Sequence, residues 1–388
     1  MDTDFFKNIR ILDGGMGQQL LAKGLISKGT LWSASANLDK KFHDLVVDVH
    51  LSFINAGSEV ILTNTFSARK IRLIQNKVDK DFVYINEQAC LLSIKAKEKS
   101  GKDVLIAGSL PCQNDTYVED QRDSKELEKA FYEQAEVIAP YVDFFYLDVV
   151  SSGREIDIAS NVAVKLNKTV LLGIHVKKNN LLPSNETITE VLNKYRSNNW
   201  LGVITACVSP KIAEECTSEI KKLDIPFGFK ANLWKVEEPT PVQTFNKAKP
   251  DEIGTNPNVT LGKRDNNSAK KFYDFSKRLV EQGATIILIP LVSFIEQPWQ
   301  VLPRTDSLIS VIYLGIVPTG IAWLLRFKIL KDNGLIFQSQ VSYLIPIFGT
   351  ILGYIFLKEL ITIKVLISLT AVCIGIYFVR RADRKKLS

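Results

Sequence analysis

Gly283-Ala284-Thr285-Ile286-Ile287-Leu288-Ile289-Pro290 is the stretch on which the fold of this chain turns. An apolar, β-branched run of this length, bounded by Gly and Pro, reads as a strand buried on both faces. Seven comparable runs precede it, at residues 11–13, 59–64, 104–109, 144–149, 169–175, 202–207 and 226–231. Between them lie amphipathic stretches such as 41–56 and 124–139, where apolar residues recur three and four apart, as on one face of a helix. Strands and helices in strict alternation predict an α/β chain folded as a (β/α)8 TIM-type barrel, with 285–290 as its eighth strand.

Beyond that strand the pattern changes. The helix that normally completes such a barrel is missing, because the apolar run 291–299 is short and gives way to a Pro-containing polar link. Residues 308–325 and 341–357 then carry no charge, and 360–379 carry only Lys364. Each is long enough to cross a bilayer. The expected organisation is a barrel over 1–290 and an all-α transmembrane segment of about three helices over 291–388.

Arg326, Lys328 and Lys331 follow the first span, and Arg380, Arg381, Arg384, Lys385 and Lys386 follow the third, so both ends are expected to face the cytosol. Met1–Arg10 lacks the apolar core of a secretory signal, which argues for a cytosolic barrel on a multi-pass protein of the plasma or inner membrane. Three spans with a cytosolic C-terminus would instead leave the barrel outside. Either residues 284–295 enter the membrane as a fourth element, or one candidate does not span.

Charge follows the same division. Of the net +7, an excess of eleven Lys/Arg over five Asp/Glu lies within 284–388. Nothing upstream forms a basic stripe with interleaved aromatics, so no nucleic-acid partner is expected. The five cysteines, Cys90, Cys112, Cys207, Cys216 and Cys373, form no CxxC pair and are odd in number, against a disulfide framework.

Leu12-Asp13-Gly14-Gly15-Met16-Gly17 follows the first strand, at the barrel face where loops build sites. Its glycines let backbone approach a ligand and Asp13 could hold an ammonium group, yet the same spacing suits a tight turn with a capping Asp. Residue by residue the segment resembles the opening motif of the homocysteine S-methyltransferases. The resemblance continues in order through Leu31-Trp32-Ser33, Val49-His50 with Ala56-Gly57, Thr63-Asn64-Thr65-Phe66, Leu182-Pro183-Ser184-Asn185-Glu186-Thr187, Phe227-Gly228 with Ala231-Asn232, Leu261-Gly262-Lys263-Arg264 and Gly283-Ala284-Thr285-Ile286-Ile287, covering about 11–287.

This resemblance implies methyl transfer from a small methyl donor to homocysteine, giving methionine. It implies zinc held by three cysteines, which lowers the pKa of the substrate thiol. Cys207 matches the first ligand, while Leu288-Ile289-Pro290-Leu291 stands where the family has Gly-Gly-Cys-Cys, leaving the metal site incomplete and the activity impaired. Substrate binding is implied at Asp13, Gly14 and Asp148, the last placed after the fourth strand where the family has Glu. Asn185 and Ala206 stand where Gly and Asn are expected. No catalytic residue is assigned with certainty. His175 reads equally as a hydrogen-bonded rim residue or a catalytic one, and Cys112 and Cys216 are remote candidates for completing the metal site.

Tyr313-Leu314-Gly315-Ile316-Val317-Pro318-Thr319, Ser342-Tyr343-Leu344-Ile345-Pro346-Ile347-Phe348, Gly353 and Leu357-Lys358-Glu359 resemble the C-terminal helices of EamA-type drug/metabolite transporters, over about 288–381. The expected partners are homocysteine, a methyl donor and the lipid bilayer. Two other readings stay open: a non-functional or artefactual fusion of a truncated methyltransferase with a truncated transporter, and a transporter-related membrane protein.

Overall fold

The apolar runs form eight strands: β1 Arg10–Gly14, β2 Val60–Leu62, β3 Leu105–Pro111, β4 Phe144–Val150, β5 Val170–Ile174, β6 Trp200–Val208, β7 Phe227–Ala231 and β8 Ile286–Ile289. In the computed structural model, which describes residues 4–238, 261, 262, 264 and 268–289, they pair in parallel in sequence order and close into a barrel. β8 completes the ring, with Arg10 opposite Ile286, Ile11 opposite Ile287 and Leu12 opposite Leu288 on one side. On its other side Gly228 and Phe229 pair with Ile286 and Ile287. Closure removes every sheet edge.

All described residues belong to the first of two compact units, Met1–Glu296 and Gln297–Ser388. The expected spans 308–325, 341–357 and 360–379, the run 291–299 and Cys373 lie outside the described residues. Among the described residues, no helix is long and apolar enough to cross a membrane.

The strand period of two sorts side chains into two layers. Phe144 and Tyr146 on β4 join Leu12, Leu62, Ala107, Ile204 and Leu288 in the barrel interior. Phe145 and Leu147 turn outward and pack beneath the helices with Val46, Phe53, Phe131 and Ile156. The N-terminus contributes a plug that composition did not announce: Phe6 is fully buried and meets Phe144 edge-on at 5.9 Å.

Helix boundaries follow the caps. The stretch expected to be helical over 41–56 begins with a 3-10 turn, Lys40–Phe42, capped by Asp39, before the α-helix His43–Asn55. Asp123 caps Ser124–Ile138, accepting the N–H groups of Lys125 and Glu126. The second strand is shorter than the expected 59–64, ending at Leu62. Beyond it the Asn64 side-chain amide donates to the Ser33 carbonyl at 3.0 Å and to Asn37 Oδ1 at 2.9 Å.

Close backbone approach explains Gly228. A Cβ there would lie 1.8 Å from the Ile286 carbonyl oxygen, across the β7–β8 seam. Gly228→Ala is therefore expected to cost about 3 kcal/mol or more of barrel stability, at or beyond the upper end of ordinary overpacking, measured by urea denaturation of the full chain. A native-like midpoint would show that the seam can open without penalty.

A second expectation concerns pH. Glu155, on the helix Gly153–Lys165 after β4, accepts the Ser151 N–H and the Ser152 hydroxyl, both at 3.0 Å. Burial nevertheless pushes its pKa up to about 8, despite those bonds. The folded protein thus holds a proton that the unfolded chain releases near pH 4.5. Its stabilising effect is full below the unfolded value and is lost as pH rises through about 8. Glu155→Gln is expected to flatten the fall in stability between pH 5 and pH 8, read from denaturation midpoints across that range.

Candidate functional site

Three strands lose register at the C-terminal rim of the barrel, between Leu12 and Gly14 on β1, Leu147 and Val150 on β4, and Ala206 and Val208 on β6. The residues inside these irregularities are Asp13, Asp148 with Val149, and Cys207. Val149 has φ 64° and Cys207 φ 55°, left-handed conformations that cost roughly 1–2 kcal/mol for residues with a Cβ. Bulges of this kind re-aim side chains where a regular strand would hide them. Here they bring Asp148 and Cys207 to one cavity of about 130 Å³, together with Gly14.

Aromatic side chains wall the cavity: Trp32, Phe66, Tyr117 and Trp234. Trp32 meets Phe66 edge-on at 6.0 Å and lies so close to Gly17 that a Cβ there would come within 2.5 Å of the indole. The third glycine of the opening motif therefore makes room for Trp32.

The expected site residues separate into two depths. Asp148 lies within β4 rather than after it, on the inward face that also carries Phe144 and Tyr146. Asp13 does not line the cavity. It is fully buried behind Gly14, where Oδ2 accepts the Leu62 N–H at 2.8 Å and ties β1 to β2. Its other oxygen has no hydrogen-bond partner among the described residues.

Burial pushes the Asp13 carboxyl well above the usual carboxylate range, the Leu62 bond and Lys230 opposing and Asp148 reinforcing that shift. His50, its neighbour at 4.0 Å, is driven down to about 3 by burial, so it is neutral at physiological pH and the contact is not an ion pair.

Lys230, which lies outside the motifs quoted above, is the main addition. From the inward face of β7 its Nζ donates to both Asp148 oxygens, at 2.8 and 3.0 Å, and stands 5.3 Å from the Tyr146 ring centre. Burial alone would lower its pKa, but Asp148, with Cys207 and Asp13, raises it above the ordinary lysine value. The pair is a charged, hydrogen-bonded bridge across the barrel. Alternation in Phe227-Gly228-Phe229-Lys230 carried the signal: Phe229 packs outward, so Lys230 points in.

Cys207 is held as a thiol. Burial raises its pKa, Lys230 and the Tyr117 hydroxyl pull it down, and Asp148 pushes it up. Tyr117 in turn packs against His175, with ring centres 4.5 Å apart and planes tilted by 45°. His175 does not line the cavity; its Nδ1 bonds the Ala206 carbonyl at 3.2 Å and burial lowers its pKa to about 4, which suits a supporting role.

Cys112 and Cys216 are elsewhere. Arg69 donates to the Cys112 sulfur at 3.0 Å, and burial lifts the two thiols to about 11 and about 12. Among the described residues no three His, Cys, Asp or Glu side chains converge as a metal site. Asn185, where a glycine was expected, adopts φ 68°, a left-handed conformation that Asn tolerates.

Comparison with known proteins follows the same division. A family model described as homocysteine S-methyltransferase matches residues 10–287, and one described as the EamA-like transporter family matches 283–381. An S-methylmethionine–homocysteine S-methyltransferase of Pongo abelii is 34% identical over 134 residues, 34% of this chain and 33% of that protein. The chain thus spans about a third of the length of the curated relative it matches. The homocysteine methyltransferase MmuM of Escherichia coli superimposes in its metallated form with TM-score 0.58 at 15% identity, over 74% of this chain and 94% of that one. Its apo form gives 0.52 at 14% identity, over 74% and 93%. At such identities these structures establish the shared fold alone.

Lys230→Met is expected to destabilise the barrel by about 3–5 kcal/mol, because it strands the nearly buried Asp148 charge. Adding Asp148→Asn should recover most of that loss. A double variant no more stable than Lys230→Met would show that the pair does not act as a coupled unit in equilibrium denaturation.

Proposed function

The chain belongs to the homocysteine S-methyltransferase family, and from that premise we propose that its barrel moves a methyl group from a small donor to the thiol of homocysteine, giving methionine. The supporting observation is the convergence of Gly14, Asp148 and Cys207, backed by Asp13, on one aromatic-walled cavity at the C-terminal rim. This is the barrel face on which such folds carry their chemistry.

In the transfer, the acceptor thiol releases its proton to solvent and its sulfur forms the new bond to the methyl carbon. The bond from that carbon to the donor breaks, and its electron pair leaves on the donor atom. S-methylmethionine, after which the Pongo abelii relative is named, is a donor of this class. The chain supplies an aromatic-walled cavity, Lys230 as a cation and Tyr117 as a hydroxyl donor beside Cys207.

Zinc is the cofactor that the family implies, and Cys207 would be one ligand. A catalytic zinc site takes three protein ligands. Among the described residues Cys207 is the one thiol lining the cavity, and Leu288, Ile289, Pro290 and Leu291 offer no donor side chain. The described residues, with 288–291, do not make a complete zinc site, and the activity is expected to be low for that reason.

The EamA-like match over 283–381 supports membrane attachment through the C-terminal segment; a cytosolic barrel rests on the sequence expectation alone. A second reading, that two truncated genes were joined, is favoured by the overlap of the two family matches at 283–287. Five apolar or small residues there satisfy both patterns.

Full-length chain in detergent, given homocysteine and S-methylmethionine, is expected to form methionine slowly and to retain well under one zinc per chain by elemental analysis. Cys207→Ala should lower turnover at least about tenfold, equivalent to roughly 1.4 kcal/mol of transition-state stabilisation. No methionine from any sulfonium donor would end the enzymatic reading.

A further inference from the structure

In the closed barrel β7 stands between β6 and β8, the two strands to which the family resemblance assigns metal-binding cysteines. β6 carries Cys207, but residues 288–291, at the end of β8 and just beyond it, offer no donor side chain. The strand between them brings a cation instead. Lys230 lies opposite Ala206 across the β6–β7 seam, next to the bulge that holds Cys207. Among the described residues it is the one cationic side chain lining the rim cavity.

That charge is held in position. Both Asp148 oxygens accept from Nζ, at 2.8 and 3.0 Å, and the Tyr146 ring centre lies 5.3 Å away. The titratable groups that face it are Asp148 and Tyr146 on β4, Cys207 on β6 and Asp13 on β1, a set that keeps it an ammonium. With its side chain 19% exposed, Lys230 is still reached from the cavity. An ammonium has three N–H donors, and the third finds no acceptor among the described residues. Two bonds also leave acceptor positions open on the Asp148 oxygens, so a ligand's ammonium can use that carboxylate while its other end meets Lys230. A cation within about 4–6 Å of a thiol favours the thiolate, by roughly one to three pKa units. A metal does the same with a larger charge, and a fixed ammonium in this position repels a dication.

We propose that Lys230 stands in for the metal: its third N–H bonds the sulfur of the acceptor thiol and stabilises the thiolate, so that this barrel activates its acceptor without zinc. The methyl transfer that follows rests on the methyltransferase reading; the placement of the cation rests on the barrel geometry. As the acceptor binds, its S–H proton leaves to solvent and Lys230 keeps all three of its own. A sulfur electron pair then forms the bond to the methyl carbon. The bond from that carbon to the sulfonium sulfur of the donor breaks, its pair staying on the donor. Lys230 ends the step as it began, an ammonium paired with Asp148. One positive charge in place of two is consistent with slow turnover.

The test uses full-length chain in detergent, stripped with a chelator and checked for zinc by elemental analysis. Thiolate formation is read from ultraviolet absorption as homocysteine is added, with homoserine, its hydroxyl analogue, as the blank. The bound thiol is expected to ionise at least about one pH unit below its value in free solution. Methionine formation from homocysteine and S-methylmethionine is expected to be unchanged by the chelator.

The double variant Lys230→Met, Asp148→Asn leaves no unpaired charge; it should lose the thiolate absorption and at least about tenfold in turnover, with its fold verified by circular dichroism. The absorption measurement on the unaltered chain needs no variant. Homocysteine bound there as a neutral thiol, no homocysteine binding at all, or a folded double variant that keeps the thiolate signal would overturn the proposal. A Lys230-dependent thiolate without methionine from any sulfonium donor would sustain it while ending the methyltransferase reading. Methionine formation that is abolished by the chelator, restored by zinc and indifferent to Lys230 would do the reverse.

Discussion

Closure of the barrel by β8 is the constraint from which the rest of this structure follows. Four of its residues pair with β1 and two of them also with β7, and the fit is close enough to exclude any side chain at Gly228. Once the ring is shut, strands distant in sequence face one another across its interior. Asp148 and Lys230, 82 residues apart, meet only because β4 and β7 are held on opposing sides of one closed sheet. An open sheet of the same strands would carry both side chains but would not bring them together.

Much of this architecture was legible in the sequence, because each strand is an apolar run buried on both faces and bounded by turn residues. Helix starts were legible where a capping residue marks them, as Asp123 does. The end of β2 was not, and neither were the partners of the Asn64 side-chain amide, Ser33 and Asn37, which only the fold brings near. At the site, Gly14, Asp148 and Cys207 were marked by their places at strand ends and by motif order. The bulges that aim them were not, because a register break is a relation between two strands and leaves no mark on either alone. The depth of Asp13, fully buried and bonded to the Leu62 N–H, was not legible, and Phe6 looked like part of a polar terminus. Lys230 was readable in principle, as a charge on the inward parity of a barrel strand, but its partner could be named only with the strands in place.

The cavity combines charges that burial would erase with charges that pairing preserves. His50 is neutralised by desolvation, and Asp13 is pushed in the same direction. Lys230 keeps its charge because Asp148 compensates it at hydrogen-bonding distance. Cys207 lies between these regimes, raised by burial and pulled down by Lys230 and Tyr117. The polarity of the site is therefore set by one ion pair, which both fixes the inner wall of the cavity and supplies its cationic donor.

The order of the strands also sets a schedule for synthesis. β7 ends at Ala231 and β8 begins at Ile286, so about 55 residues must be translated between them, roughly 3–11 s at ordinary elongation rates. Throughout that interval β1 and β7 present unpaired backbone, and the inner residues of seven strands await the eighth. A nascent chain in this state offers the sticky edges that chaperones recognise and aggregates recruit. The fate of each molecule is thus decided late, in the seconds before its closing strand leaves the ribosome.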